Sequence, residues 1–331
     1  MKKVRIIGAG PAGLATANWL QEAGFDVLLF DKGTIAENIR HFPIYMRFFS
    51  TPELLEIGGV PLLVSEEKPS RREYLQYLAR FARDRKLRIR AFHSVERVVK
   101  NGSDGFTLSI QPRDQEPFDE KAEIVVVATG AYATPRYLHV PGENLAKVRH
   151  HFDEPHPYVG SKVLVVGGGN SAAETALLLF RSGADVTVSY RGKEFKKIKY
   201  WLRPDLENRI KAGEIRAFLG SNVVEIKPQS VALRLENSEI EEIENDFVLA
   251  LTGYEPELDL LRQAGVEFEP NNRKPKLNYE TMESSVPGLF VVGVVVAGNI
   301  SGEIFIENSR HHGELVAREL LSRNKNDLAN S

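Results

Sequence analysis

The sequence predicts an α/β fold of two similar doubly wound domains, each three-layer, with the second inserted into the first. Three observations predict it. The glycine-rich stretch Gly8-Ala9-Gly10-Pro11-Ala12-Gly13 follows the apolar run Val4 to Ile7, and Gly167-Gly168-Gly169-Asn170-Ser171-Ala172 follows Val163 to Val166. The two copies are in register: Gly167 lies 159 positions after Gly8, and the same offset pairs Gly24 with Gly183, Asp26 with Asp185 and Val27 with Val186. Two further apolar runs, Ile124 to Val127 and Val248 to Leu251, lead into Thr129-Gly130 and Thr252-Gly253, where the chain passes from one domain to the other.

A strand, a glycine turn and a helix in that order form a site for a dinucleotide pyrophosphate. Free amides and the helix dipole favour the anion, and glycine lets the backbone approach it. Each domain therefore reads as a Rossmann-like dinucleotide-binding domain. Gly8, Gly10 and Gly13 supply the three small positions of the first turn; Gly167, Gly169 and Ala172 supply those of the second. An acid at the end of the next strand accepts from ribose hydroxyls, and Asp31, followed by Lys32, fits that role. The second copy has Tyr190 and Arg191 there, uncharged and then basic, which suits a 2′-phosphate. The first site thus reads as FAD and the second as NADPH. Lys193, Lys196, Lys197 and Lys199 can add to the positive field, although a charge run is commonly a solvated face.

In chain order, residues 3–8 read as a buried parallel strand and Pro11 to Ala23 as a helix ended by Gly24. Asp26 to Phe30 forms the second strand, and a helix spans Arg71 to Arg83 after Pro69-Ser70. Leu87 to Phe92, Val95 to Val99 and Phe106 to Ile110 read as strands. Asp185 to Ser189 is the counterpart of the second strand. Leu289 to Val292 returns to strand before Gly293, and Val294 to Ala297 extends that run. A helix follows from Glu303 to near Arg323, and the polar tail Asn324 to Ser331 is expected to fray. The FAD domain is therefore discontinuous, 1–135 and 256–331, around an NADPH domain of 136–255.

At 331 residues the chain can build two well-developed cores. The formal net charge of −2 gives no sign of nucleic-acid or acidic-membrane binding. The basic stretch Arg80, Arg83, Arg85, Lys86, Arg88 and Arg90 reads as a solvated helix end and strand. No apolar run approaches the roughly 18 residues of a membrane helix. The turn at Gly8 leaves no room for a cleaved leader, so the expected location is the cytoplasm. There is no cysteine. That excludes an enzyme disulfide, a thiolate nucleophile and thiolate-held zinc or iron–sulfur centres, and no metal site is expected.

Both turns, both strand-Thr-Gly crossings and the Gly293 segment resemble the flavoprotein superfamily with two dinucleotide-binding domains. Size and order resemble its low-molecular-weight thioredoxin reductase branch, whose Cys-x-x-Cys pair this chain lacks. More specific stretches resemble the bacillithiol-disulfide reductase family of flavoproteins. They are Phe48-Phe49-Ser50-Thr51-Pro52 with Leu55-Glu56-Ile57-Gly58, and His151-Phe152 with His156-Pro157-Tyr158. Tyr190-Arg191-Gly192, Ile198-Lys199 with Trp201, and Leu251-Thr252-Gly253-Tyr254 follow. Towards the end stand Thr281-Met282-Glu283, Val286-Pro287-Gly288, Ala297-Gly298-Asn299 and Glu303-Ile304-Phe305-Ile306-Glu307-Asn308. The resemblance runs from about residue 3 to residue 320.

The resemblance implies FAD on Gly8, Gly10, Pro11, Ala12, Gly13, Asp31 and Lys32, with Val95 at adenine through its backbone, Thr129 and Gly130 at the crossing, and Gly293 at the flavin end. Val294 stands where many superfamily members carry a ribityl-binding aspartate, a departure the bacillithiol family pattern also allows. It implies NADPH on Gly167, Gly169, Asn170, Ser171, Ala172, Arg191 and Lys199. The implied activity passes a hydride from NADPH to FAD and on to a small acceptor, a low-molecular-weight disulfide such as bacillithiol disulfide, in redox homeostasis. Family members often read Gly-Pro-Cys-Gly in the first turn; here Ala12 stands at the cysteine position, so any route through that thiol is closed.

No acid–base residue stands out in the sequence. His151, His311 and His312 are candidates for protonating a leaving thiolate. Other activities stay open on the residues alone. A flavin monooxygenase would match His150-His151 before the second turn, a cysteine-free ferredoxin–NADP reductase would reduce ferredoxin, and a redox-sensing flavoprotein would turn over little. A homo-oligomer also stays open.

Overall fold

The structure is a computed structural model; it describes residues 1–329 other than Ala133, Lys197 and Ser301, with side chains to residue 325. The chain divides into two compact units. One holds residues 1–41, 45–134 and 255–331, and the other residues 42–44 and 135–254. Both crossings fall one residue before the positions read from the sequence. Phe42–Ile44 join the second unit, where the Ile44 amide donates to the Asp153 carbonyl at 3.0 Å.

The first unit is built on a parallel sheet in the order Leu289–Val291, Ile124–Val127, Lys3–Ile7, Asp26–Phe30, Ile89–Arg90. Val4, Ile6 and Val125 to Val127 are buried, as a strand covered on both faces requires. A three-stranded antiparallel sheet, His93–Lys100, Phe106–Pro112 and Phe118–Ala122, forms a second layer. The helices Pro11–Glu22, Arg71–Asp84 and His312–Ala329 form a third. The Arg71–Asp84 helix starts where Ser70 and Glu73 make a reciprocal capping box, and it buries Tyr74, Tyr77, Leu78 and Phe81 on one face.

The second unit repeats this plan. Its parallel sheet runs Arg216–Leu219, Asp185–Tyr190, Lys162–Val166, Phe247–Ala250, Val148–Arg149. Alternation along the central strand sorts its core. Val163 and Val165 pack with Ala172, Ala176 and Leu179 of the helix Asn170–Arg181. Leu164 and Val166 pack with Val231, Leu233 and Ile243 of the antiparallel sheet Asn222–Ile226, Ser230–Arg234, Ile240–Glu244. The internal repeat holds atom by atom. Lys3 pairs with Asp26 and Lys162 with Asp185; the Gly8 amide donates to the Phe30 carbonyl and the Gly167 amide to the Ser189 carbonyl.

Four expectations are corrected. The strand read over Leu87 to Phe92 contracts to Ile89–Arg90, because Lys86 and Phe92 take left-handed φ of 52° and 59°. Val294–Ala297 is a 3₁₀ turn between Gly293 and Gly298, not a strand extension. Glu303 to Phe305 is not helical; Asn308 caps that segment by accepting from the Phe305 amide at 2.7 Å, and the helices are Ile306–Ser309 and His312–Ala329. The last helix continues past Arg323 to Ala329, and Asn330 and Ser331 lie outside the described residues. The basic stretch is a solvated face: Arg80 and Arg83 pair with Asp84, Arg85 with Glu22, and Arg88 with Asp26.

Candidate functional site

The first turn presents an unoccluded anion cradle. Gly10 caps the helix Pro11–Glu22 with extended φ and ψ, no side chain caps that end, and Pro11 occupies its first turn. A Cβ placed on Gly10 would project into open space, the space a pyrophosphate needs. At Gly13, by contrast, a Cβ would overlap the Gly8 carbonyl oxygen, so glycine there is demanded by the turn itself. Asp31 sits at the end of the second strand. Its carboxylate accepts from the Ala9 amide at 2.7 Å and the Gly33 amide at 2.8 Å, and burial raises its pKa against the pull of those two bonds.

The His93 amide donates to the Asp31 carbonyl, which brings the start of the next strand beside the ribose position. Val95 stands there, next to a break in register at Val95/Arg97. The Thr129 hydroxyl is buried with no hydrogen-bond partner among the described residues, while the Asn38 side chain donates to the Thr129 carbonyl at 3.4 Å. Gly130 follows with φ of 77°. Open cradle, uncapped amides, ribose acid and orphaned hydroxyl together fit FAD. The Lys32 ammonium pairs with Glu257 at 2.9 Å, both side chains being exposed.

Gly293 closes this site. Its φ is 80°, and a Cβ on it would lie 2.8 Å from the Ala12 methyl. Its amide donates to Nδ1 of His312 at 3.2 Å. Burial pushes the His312 pKa down to about 4, so the ring is neutral at pH 7 with its proton on Nε2. His312 therefore anchors the Gly293 loop. His311 is exposed beside Arg310. His151 is 40% exposed, belongs to the second unit and lies 3.6 Å from Asp153.

The second turn has the same geometry. Gly169 is extended, the helix Asn170–Arg181 has no side-chain cap, and a Cβ on Gly169 would meet nothing. Ala172 is buried in the third small position, and Gly167 backs onto the Leu251 carbonyl as Gly8 does onto that of Ala128. Ser171 is exposed at the mouth. The Asn170 side chain accepts from the Lys199 amide at 2.7 Å, tying Lys199 to the turn. Arg191 is exposed and has no ion-pair partner among the described residues, so its guanidinium is available to a phosphate. Lys193 pairs with Glu236, Lys196 pairs with Glu194, and Lys199 lies over the Trp201 ring at 5.7 Å. Lys197 lies outside the described residues. These residues fit a 2′-phosphorylated nucleotide, with the Arg191 guanidinium exposed beside the turn.

Sequence reasoning missed two residues beside the turns, Glu174 and Asn38. Glu174 lies one turn past Asn170, partly buried and without a hydrogen-bond partner among the described residues, and burial raises its carboxyl. The i, i+4 spacing from Asn170 could have found it. Asn38 and the His312–Gly293 bond are joined to the site only by the fold.

Comparison with known proteins agrees with this geometry. The family model described as pyridine nucleotide-disulphide oxidoreductase matches residues 5–293. Bacilliredoxin reductase Bdr of Bacillus subtilis (strain 168) is 40% identical over 323 residues, covering 97% of this chain and 98% of that protein. The solved bacillithiol disulfide reductase Bdr (YpdA) from Bacillus cereus superposes with a TM-score of 0.94 at 41% identity, covering 97% and 99% of the two chains. Its Staphylococcus aureus counterpart gives 0.90 at 34%, covering 97% and 98%. With paired dinucleotide turns and a likeness running nearly end to end, the chain belongs to the pyridine nucleotide-disulphide oxidoreductase family, in its bacillithiol-disulfide reductase branch, and is an FAD- and NADPH-dependent oxidoreductase.

Proposed function

We propose that this enzyme uses NADPH to reduce a low-molecular-weight disulfide of the bacillithiol type, in the cytoplasm, without an enzyme thiol. The observation that carries the reading is the Ala12 methyl facing Gly293 at the end of the first turn, in a chain without cysteine. The relatives named above are reductases of bacilliredoxin or bacillithiol disulfide, and their overall likeness supports that acceptor class.

Bound FAD and NADPH supply the redox chemistry; the protein supplies binding, orientation and exclusion. On this reading Gly10 and Gly169 admit the two pyrophosphates, Asp31 accepts from ribose, and Arg191 takes the 2′-phosphate. Thr129 offers its buried hydroxyl to the first nucleotide. His312 holds Gly293 and stays neutral, so a proton for a departing thiolate comes from solvent or from the substrate's own groups.

An anaerobic experiment tests this. The flavin is reduced with NADPH, and bacillithiol disulfide, ferredoxin, a quinone and oxygen are then offered separately. The disulfide is expected to reoxidise the flavin in the wild type, with little gain in Ala12→Cys. Activity only in Ala12→Cys would show that a thiol is required and that the natural acceptor is different. Reoxidation by ferredoxin or oxygen alone would sink the disulfide reading while leaving both cofactors in place.

A further inference from the structure

The internal repeat places Asp31 and Tyr190 at the same position, 159 residues apart, and the two side chains perform one structural task with opposite chemistry. In the first unit the Asp31 carboxylate binds the amides of Ala9 and Gly33. The counterparts of Ala9 and Gly33 in the second unit are Gly168 and Gly192. The Tyr190 ring lies on both. A Cβ on Gly168 would overlap the ring, with all three nearest atoms belonging to Tyr190. A Cβ on Gly192 would stand 2.6 Å from Cε1 of the same ring. Neither glycine has a left-handed φ, so the backbone does not require glycine at either place. The space under the ring does.

The ring is itself held. It stacks on buried Phe195, with centroids 5.7 Å apart and planes 8° from parallel. The Tyr190 carbonyl accepts from the Ser221 amide, and the Gly192 carbonyl from the Gly220 amide. Arg191 projects from between these two anchored residues.

We propose that Tyr190 is a positioning residue that sets nucleotide preference: an uncharged clamp substituting for the acid. It ties the second turn to the loop carrying Arg191, as Asp31 ties the first turn to its strand end, and it puts no negative charge where a 2′-phosphate must sit. A carboxylate there would hold the turn equally well but repel the phosphate. The middle glycine of Gly167-Gly168-Gly169 is thus kept for the ring and not for the pyrophosphate. This inference rests on the assignment of the second turn to NADPH.

The test is calorimetric titration of the flavin-loaded protein with NADP⁺ and with NAD⁺, with flavin absorbance as a check on the fold. Tyr190→Phe should bind both within about twofold of wild type, since the hydroxyl has no hydrogen-bond partner among the described residues. Tyr190→Asp rebuilds the first unit's clamp. It should weaken NADP⁺ by roughly tenfold or more while NAD⁺ is unchanged or tighter. Gly168→Ala should displace the ring and weaken NADP⁺ in the wild-type background, yet add nothing in Tyr190→Ala. That pair of measurements stands even if Tyr190→Asp does not fold. An equal effect of Gly168→Ala in both backgrounds would return that glycine to the phosphates and overturn the clamp. Equal weakening of both nucleotides by Tyr190→Asp would overturn its part in selectivity. Gly169→Val separates the two layers of argument: if it leaves NADP⁺ binding intact, the assignment on which the clamp depends has failed.

Discussion

On the proposed reading, His312 and Arg191 serve the two sites by different means. His312 works by staying neutral. Burial lowers its pKa from 6.5 to about 4. Between those values the unfolded chain binds more protons than the folded one, so stability falls as pH drops through that window. The loss is at most on the order of 3 kcal/mol. Thermal melts from pH 7 to pH 4.5 should show a steeper decline for wild type than for His312→Asn, which keeps an acceptor for the Gly293 amide and removes the titration. Parallel declines would assign the acid sensitivity elsewhere. On the proposed reading Arg191 works as an exposed cation with no ion-pair partner among the described residues. A hydrogen bond to a charged group contributes on the order of 1.5–3 kcal/mol, so Arg191→Ala should raise the NADPH KM by roughly tenfold or more. The NADH KM should change little, and an equal rise in both would point to a structural arginine.

At the scale of the element, the two turns look alike in sequence and differ in tightness. The first leaves no room for a methyl at Gly13, whose Cβ would run into the Gly8 carbonyl. The second already carries one at Ala172, a residue of the helix Asn170–Arg181 buried against the sheet. Gly13→Ala should therefore push the first turn open and release the flavin. Ala172→Gly should cost roughly 1 kcal/mol of helix stability and keep NADP⁺ binding. The ratio of flavin to protein absorbance and a thermal melt read the two outcomes; a full flavin complement in Gly13→Ala would contradict the tight-turn account. The last helix illustrates the same dependence on a neighbour. Gly313 near its start lets it lie directly on the backbone of Thr16, in the helix that the first turn begins.

Across the whole molecule, each nucleotide turn belongs to a unit with its own sheet and its own core. Damage at one turn should stay local. Gly10→Val is expected to yield a colourless protein that still binds NADP⁺, and Gly169→Val a yellow protein that does not. Loss of both ligands in either variant would show that the sites do not stand independently. Among the described residues, no helix is long and apolar enough to cross a membrane.

The sequence by itself determined the repeated unit, because a pyrophosphate turn needs small residues at fixed spacing between a buried strand and a helix, and such local constraints are written contiguously. Gly8 to Gly13, Asp31, Gly167 to Ala172 and Arg191 were legible for that reason. The antiparallel sheet of residues 222–244 was not. A segment such as Ile240-Glu241-Glu242-Ile243-Glu244 becomes a strand only when Val231 and Leu233 are beside it to cover its few apolar side chains. Tertiary structure alone decided that Lys32 meets Glu257, that His312 reaches Gly293, and that Tyr190 lies across Gly168 and Gly192. Each of these joins positions whose meeting depends on how the chain packs, and spacing along the sequence does not carry that information.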